Sequence, residues 1–267
     1  VIVGNTRCDV TGLDLNRYIW KNKKKLINKK IKIVCISKWL ANEARKSNLL
    51  KNFDISVINC AIDTNIWKPI NKKEAKKILG INTNKKLILF GATGGTTDPR
   101  KGFKYLIKAL KSSKLNGEKF DLLVFGEQEN FNLNIPNKKI FIKNGSFYGN
   151  DTALRVLYSA ADVMVAPSLL EAFGQVASEA GSCETPCVAF KNTGFEDVIV
   201  HKKTGYLANY KDQNDLAQGI FWCLKNSRKL KLGQKARINI KKNFSNEIIS
   251  KRYIKIYHET ISNFKKK

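Results

Sequence analysis

The chain carries little with which to hold a metal. Its 267 residues include two histidines, His201 and His258, and one methionine. Cys183 and Cys187 have the spacing of a ligand pair, but only those two histidines are available to complete it, so no metal is expected. No Asp-x-Asp occurs, which removes a common way of holding a divalent ion on a sugar nucleotide. No Gly-x4-Gly-Lys-Ser/Thr occurs either, which disfavours a nucleoside-triphosphate loop. No apolar run approaches ~20 residues, so no membrane-spanning helix is expected, and no signal peptide is visible. The six cysteines (8, 35, 60, 183, 187 and 223) fall mostly within apolar strand or helix text. They read as small core hydrophobes in a reducing compartment, and a cytoplasmic location is expected.

Acidic residues are scarce. There are 22 against 49 basic ones, a net charge of +27. Such a balance favours nucleic acid or anionic membrane as a partner. The lysines are spread along the chain, however, as on a solvated surface, and no zinc-finger spacing or RNA-binding aromatic motif accompanies them. No specific nucleic-acid partner is expected. The clusters at 21–30, 71–77 and 225–242 leave weak peripheral contact with anionic membrane open. A hydrophobic content of 43% is that of a globular chain, long enough for one large or two modest domains. Because it begins Val-Ile-Val without an initiator Met, it reads as part of a longer protein.

Strand and helix patterns alternate. A basic helix is expected over Leu15–Lys29, a strand over Ile31–Ile36, a helix over Lys38–Ser47 behind Ser37 as N-cap, and a strand over Ile55–Ile58. NCAIDTNIWKP then lacks periodicity and reads as a connection. A second series starts near Lys86. Strands are expected at Leu87–Phe90, Leu122–Phe125 and Lys139–Ile142. The first is followed by a helix with Phe103, Leu106, Ile107 and Leu110 on one face. Asp151 is expected to cap a helix through Ala160, and Asp215 to precede another. A short strand falls at Gly205–Leu207, and an amphipathic helix runs over Asn246–Lys265. This order implies an α/β fold with a parallel sheet covered on both faces, whose sites lie at the carboxyl ends of strands. The expected division is 1–60 as the tail of one Rossmann-like domain, 61–84 as linker, 85–240 as a nucleotide-binding domain and 241–267 as a C-terminal helix.

The chemistry concentrates in ADVMVAPSLLEAFGQVASEAGSCETPCVAF, residues 161–190, which reads as strand, loop, helix and strand. Small residues from Phe173 to Ser182 let the helix lie close to the sheet. Glu171 falls before the helix and Glu179 within it. Acids flanking a helix N-terminus suit a phosphorylated sugar, although a capping acid and an exposed helical Glu would look the same. Arg100-Lys101 follows the glycine-rich loop after Phe90 and makes a reasonable diphosphate clamp. Gly126 ends a strand where a ligand could approach backbone, or is an ordinary turn glycine. The loops after Phe90, Phe125 and Ala166 are expected to share one sheet edge.

Taken together, SLLEAFGQVASEAGSCETPCVAF, DPRKGF, YSAADVMVAPS and HKKTGYLA resemble the retaining nucleotide-sugar glycosyltransferases of the GT-B fold, family four, from about Ile31 onward. The resemblance implies a donor-binding domain with the tail end of an acceptor domain. It implies that Lys101, with Arg100 nearby, meets the donor diphosphate. Glu171 and the backbone at Phe173, Gly174 and Gln175 would meet the transferred sugar and phosphate, and Glu179 the ribose. The substrate would be a UDP- or GDP-linked sugar, with no further cofactor. The acceptor would be a saccharide or lipid-linked molecule in surface polysaccharide or lipopolysaccharide assembly. Two departures stand out: Thr96 where the family often has an Arg, and Glu184 where it has a helix-end glycine. Neither histidine sits where the family's acceptor-side His belongs. A sugar-nucleotide epimerase of the same fold, or a non-enzymatic basic module, are the alternatives.

Overall fold

The computed structural model describes residues 14–27, 31–91, 96–127, 133–144 and 149–265. The first thirteen residues and positions 92–95 of the glycine-rich loop after Phe90 lie outside these residues. The elements in chain order are α1 (Leu15–Leu26), β1 (Lys32–Cys35), α2 (Lys38–Lys46), β2 (Asp54–Val57), α3 (Lys72–Ile78) and β3 (Lys86–Gly91). A 3-10 turn (Pro99–Lys101), α4 (Phe103–Leu110), α5 (Ser113–Asn116), β4 (Phe120–Glu127), β5 (Ile140–Asn144) and α6 (Asp151–Ala160) follow. Then come β6 (Val163–Ala166), α7 (Gln175–Ser182), β7 (Cys187–Phe190), α8 (Phe195–Val198), β8 (Gly205–Ala208), α9 (Gln213–Asn226), α10 (Leu232–Phe244) and α11 (Asn246–Lys265).

Among the described residues the strands form two parallel sheets. One pairs β1 with β2, and the other runs β5-β4-β3-β6-β7-β8. Alternation along the large sheet sorts its side chains onto two faces. Leu87, Leu89, Leu123, Phe125, Met164 and Ala189 pack on one face with Ala75, Leu157, Ala177 and Ile240 from α3, α6, α7 and α10. Ile88, Phe90, Val124, Val165, Val188 and Phe190 pack on the other with Leu106, Leu110, Ile220 and Leu224 from α4 and α9. The chain builds outward from β3 through β4 to β5, then returns to β3's other side for β6, pairing Ile88 with Val163 and Leu89 with Met164. The loops leaving β3 and β6 therefore diverge from adjacent strand ends. A crevice opens at such a point in a parallel sheet.

The small sheet meets the large one through Asp197 of α8. Its Oδ2 accepts from the Lys38 N–H at 2.9 Å and from Asn59 Nδ2 at 2.8 Å. Ser37 caps α2 as expected, accepting from the Leu40 N–H at 3.0 Å.

Several expectations need correction. Asn150, not Asp151, caps α6, accepting from the Ala153 N–H at 3.0 Å. Asp212 caps α9, and Asp215 lies inside its first turn. The basic stretch 71–77 is mostly α3, capped by Asn71, so the expected linker carries a helix of its own. The stretch 225–242 contains most of α10, whose Leu232, Ala236, Ile240 and Phe244 form a buried stripe at four-residue spacing. Frequent lysines hid both helices, because solvated charges fill every position outside a narrow apolar stripe. Helix α10 sits so close to the end of α7 that a Cβ on Gly233 would come within 1.9 Å of the Glu184 carbonyl oxygen.

Gly233→Ala is expected to destabilise the fold by about 1–3 kcal/mol, although alanine is worth up to ~1 kcal/mol more than glycine in an open helix. Urea unfolding of the variant checks this, and a gain in stability would contradict the close packing.

Candidate functional site at the carboxyl edge of the sheet

The turn after β3 is built locally. Asp98 accepts from the Arg100 N–H at 2.8 Å, and Pro99 preorganises the 3-10 turn that follows. Gly102 leaves that turn with φ of 71°, and a Cβ there would lie 1.9 Å from the Pro167 carbonyl oxygen. The Leu169 N–H donates to the Arg100 carbonyl at 2.7 Å. These contacts press the turn after β3 onto the loop after β6. They bring Lys101 Nζ to 3.5 Å from Glu171 Oε2, with side chains 29% and 20% exposed.

Arg100 is placed differently. Its side chain is 70% exposed, and its guanidinium is taken up by Asp98 through contacts of 2.8, 3.0 and 3.1 Å. Those hydrogen bonds hold the Asp98 carboxyl below its ordinary range. Locally neutralised in this way, Arg100 leaves Lys101 as the cation beside Glu171. Nothing in the sequence beyond the shared turn signalled that Asp98 would engage it.

The loop carrying Glu171 is held from the other side by the turn after β7. The Gly194 N–H donates to the Glu171 carbonyl at 2.7 Å, and a Cβ on Gly194 would lie 2.4 Å from the Ala172 carbonyl. Phe173 is a core residue, its ring 5.7 Å from that of Phe244, so its backbone is the part left for a ligand. Gly174, at φ 98°, starts α7 without a side-chain cap, and its carbonyl accepts from the Ala177 and Ser178 N–H groups. Gln175 is the exposed first residue of the helix. The N–H groups of an uncapped first turn carry partial positive charge and suit an anion.

Glu179 lies in the second turn of α7, where its Oε2 accepts from the Tyr158 hydroxyl at 2.8 Å. Burial pushes its carboxyl up to about 7, against hydrogen bonds from Tyr158 and Gln175 that pull it down. An exposed helical Glu would show no such environment. Gly126 is the penultimate residue of β4, at φ 81° and at a register shift against β5, so it lies at the expected edge. The loop after it lies outside the described residues.

His201 accepts from the Leu207 N–H at 3.1 Å through Nδ1, and His258 lies on α11. Cys183 and Cys187 are buried, and burial pushes the Cys183 thiol up to about 12. Among the described residues no group of three or more His, Cys, Asp or Glu could hold a metal. No helix among them is long and apolar enough to cross a membrane. Glu184 stands at φ 62°, the left-handed conformation that explains why glycine is expected there.

The model of the family described as Glycosyl transferases group 1 matches residues 71–243, and the chain belongs to that family. N-acetyl-alpha-D-glucosaminyl L-malate synthase of Bacillus anthracis is 26% identical over 243 residues, covering 86% of this chain and 60% of that protein. The capsular polysaccharide biosynthesis glycosyltransferase CapM of Staphylococcus aureus is 27% identical over 226 residues, covering 81% and 58%. The chain thus spans about three fifths of each relative's length. HepE of Anabaena, solved in complex with UDP-glucose, superposes with a TM-score of 0.71 at 18% identity, covering 92% of this chain and 68% of that one. The fold is the Rossmann-like parallel sheet of GT-B glycosyltransferases.

A carboxyl pushed up to about 7 from an ordinary 4.5 binds protons more tightly folded than unfolded. Its contribution therefore turns unfavourable as pH rises from 4.5 through 7. Glu179→Gln is expected to remove that dependence and to be more stable than the parent at pH 8, by about 1–3 kcal/mol. Urea unfolding at pH 5 and pH 8 measures it, and equal stability of parent and variant at pH 8 would contradict the assignment.

Proposed function

We propose that this chain is the donor-binding part of a retaining glycosyltransferase that moves a sugar from a nucleotide diphosphate sugar to a saccharide or lipid-linked acceptor. The observation that carries this reading is the meeting of Lys101, Glu171 and the uncapped N-terminus of α7 at the point where the strand order reverses. Lys101 and the α7 N–H groups stabilise the negative charge that develops on the departing diphosphate. Glu171, with the backbone at Phe173 to Gln175, meets the transferred sugar. Glu179 accepts from the ribose hydroxyls. The bond from the anomeric carbon to phosphate breaks, and one from that carbon to the acceptor oxygen forms on the same face. The acceptor proton passes to the leaving phosphate, so neither a protein nucleophile nor a cofactor is invoked.

The UDP-glucose complex of HepE favours a UDP-linked donor over a GDP-linked one. CapM, by its name, favours surface polysaccharide assembly, with lipopolysaccharide as the related case. Residues 1–60, with the β1–β2 sheet held to α8 through Asp197, are the end of the acceptor-side domain. The lysine-rich surface gives at most a diffuse, salt-sensitive attraction to the cytoplasmic membrane face.

Calorimetry with UDP, GDP and their sugar conjugates tests the reading, and binding to anionic vesicles or DNA with no nucleotide bound would overturn it. Lys101→Ala is expected to weaken UDP roughly 10- to 100-fold while leaving uridine little changed. The loss should persist at moderate salt, whereas vesicle binding should collapse as salt screens exposed charge over about 8 Å. Glu171→Ala should spare UDP and weaken only the UDP-sugar. Equal losses for both ligands would remove Glu171 from the sugar site.

A further inference from the structure

Tyr158 lies where it can act on the donor site without touching a ligand, since it is only 1% exposed. Its position is set from several sides. The ring lies 5.9 Å from that of Trp67 and meets Phe125 edge-on at 6.2 Å. Its carbonyl accepts from Thr185 Oγ1 at 2.7 Å. Trp67 is fixed in turn, its carbonyl accepting from Ser182 Oγ and, at 2.9 Å, from Arg237. From this frame the hydroxyl donates to Glu179 Oε2 at 2.8 Å. A carboxylate is a pure acceptor with two equivalent oxygens, and a rotatable one offers no fixed geometry to a pair of ribose hydroxyls. A buried phenol bound to one oxygen removes both freedoms at once.

We propose that Tyr158 is a positioning residue for nucleotide binding: by donating to Glu179 Oε2 it orients the carboxylate toward the ribose hydroxyls. The proposal rests on the reading of Glu179 as the ribose acceptor. The electrostatics agree. Burial and Asp151 of α6 push the Glu179 carboxyl up, while Tyr158 and Gln175 hold it down. Cys183, which caps the C-terminus of α7, feels the charge of Glu179, and Arg155 of α6 and Arg237 of α10 act on the same thiol. Loss of the Tyr158 hydroxyl removes one of the two hydrogen bonds that favour the ionised form. The pH above which Glu179 accepts from ribose then moves upward.

The test is calorimetry of UDP and 2′,3′-dideoxy-UDP between pH 6 and 9, or of the GDP pair should the site prefer guanine. The parent chain is compared with Tyr158→Phe. The ratio of the two affinities cancels ionisation of the terminal phosphate. Tyr158→Phe is expected to weaken UDP roughly 5- to 30-fold at pH 7 and the dideoxy nucleotide less than about twofold. The rise of the ratio with pH should shift to higher pH. Tyr158→Leu, which removes the hydroxyl with a different change of packing, is the second variant and should show the same dependence on ligand. Equal losses for both nucleotides, or an unchanged ratio and profile, would overturn the proposal while leaving the donor site in place. A parent chain that binds the ribose and dideoxy nucleotides equally removes Glu179 from the ribose. One that binds no nucleotide overturns the donor site itself.

Discussion

The site depends on one backbone contact. Gly102 lies so near the Pro167 carbonyl that no side chain fits between them, and the Leu169 N–H closes the same junction on the Arg100 carbonyl. Adjacent parallel strands send their loops away from each other at a reversal of strand order, so without this junction the two loops would have no reason to meet. With it, Lys101 reaches Glu171 across the crevice, and the unsupported N-terminus of α7 opens beside them. The turn after β7 completes the arrangement, because Gly194 holds the backbone of Glu171 and Ala172 from behind. Charge placement here follows from backbone packing. The ion pair is partly exposed and is worth little to stability on its own.

Glu179 shows the opposite economy. A carboxylate half-sunk in a helix of mostly small residues, with Ala177 and Ala180 buried beside it, works against the fold at neutral pH. Such groups persist where a ligand uses them. The surrounding frame limits the penalty, with Tyr158 and Gln175 supplying hydrogen bonds to the charged form. On the proposed reading, Lys101 and backbone N–H groups take the phosphate, and the partly buried Glu179 side chain takes the ribose.

The sheet was legible because its strands are short runs of consecutive apolar residues bounded by glycine, proline and polar turns, as at Val163–Ala166 and Cys187–Phe190. The edge on which Lys101, Gly126 and Glu171 gather followed from that alternation. Helices α3 and α10 were not legible as helices, since lysines crowd the faces outside stripes as thin as one residue per turn. Caps were misplaced by one residue at Asp151 and by three at Asp215, where neighbouring polar residues compete for the same N–H groups. The engagement of Arg100 by Asp98 and of Glu179 by Tyr158 depends on side-chain direction, which spacing does not encode. Tyr158 stood in the family-like string YSAADVMVAPS, but nothing in that string linked it to a glutamate 21 positions further on.

A crystal structure of the chain with UDP tests the central claim most directly. The diphosphate is expected within hydrogen-bond distance of Lys101 Nζ and the backbone N–H groups at Phe173 to Gln175, with the ribose hydroxyls on Glu179. A nucleotide held elsewhere, for instance among Lys73, Lys76 and Lys77 beside Asn82 to Asn84, would contradict it and return the carboxyl edge to a purely structural role.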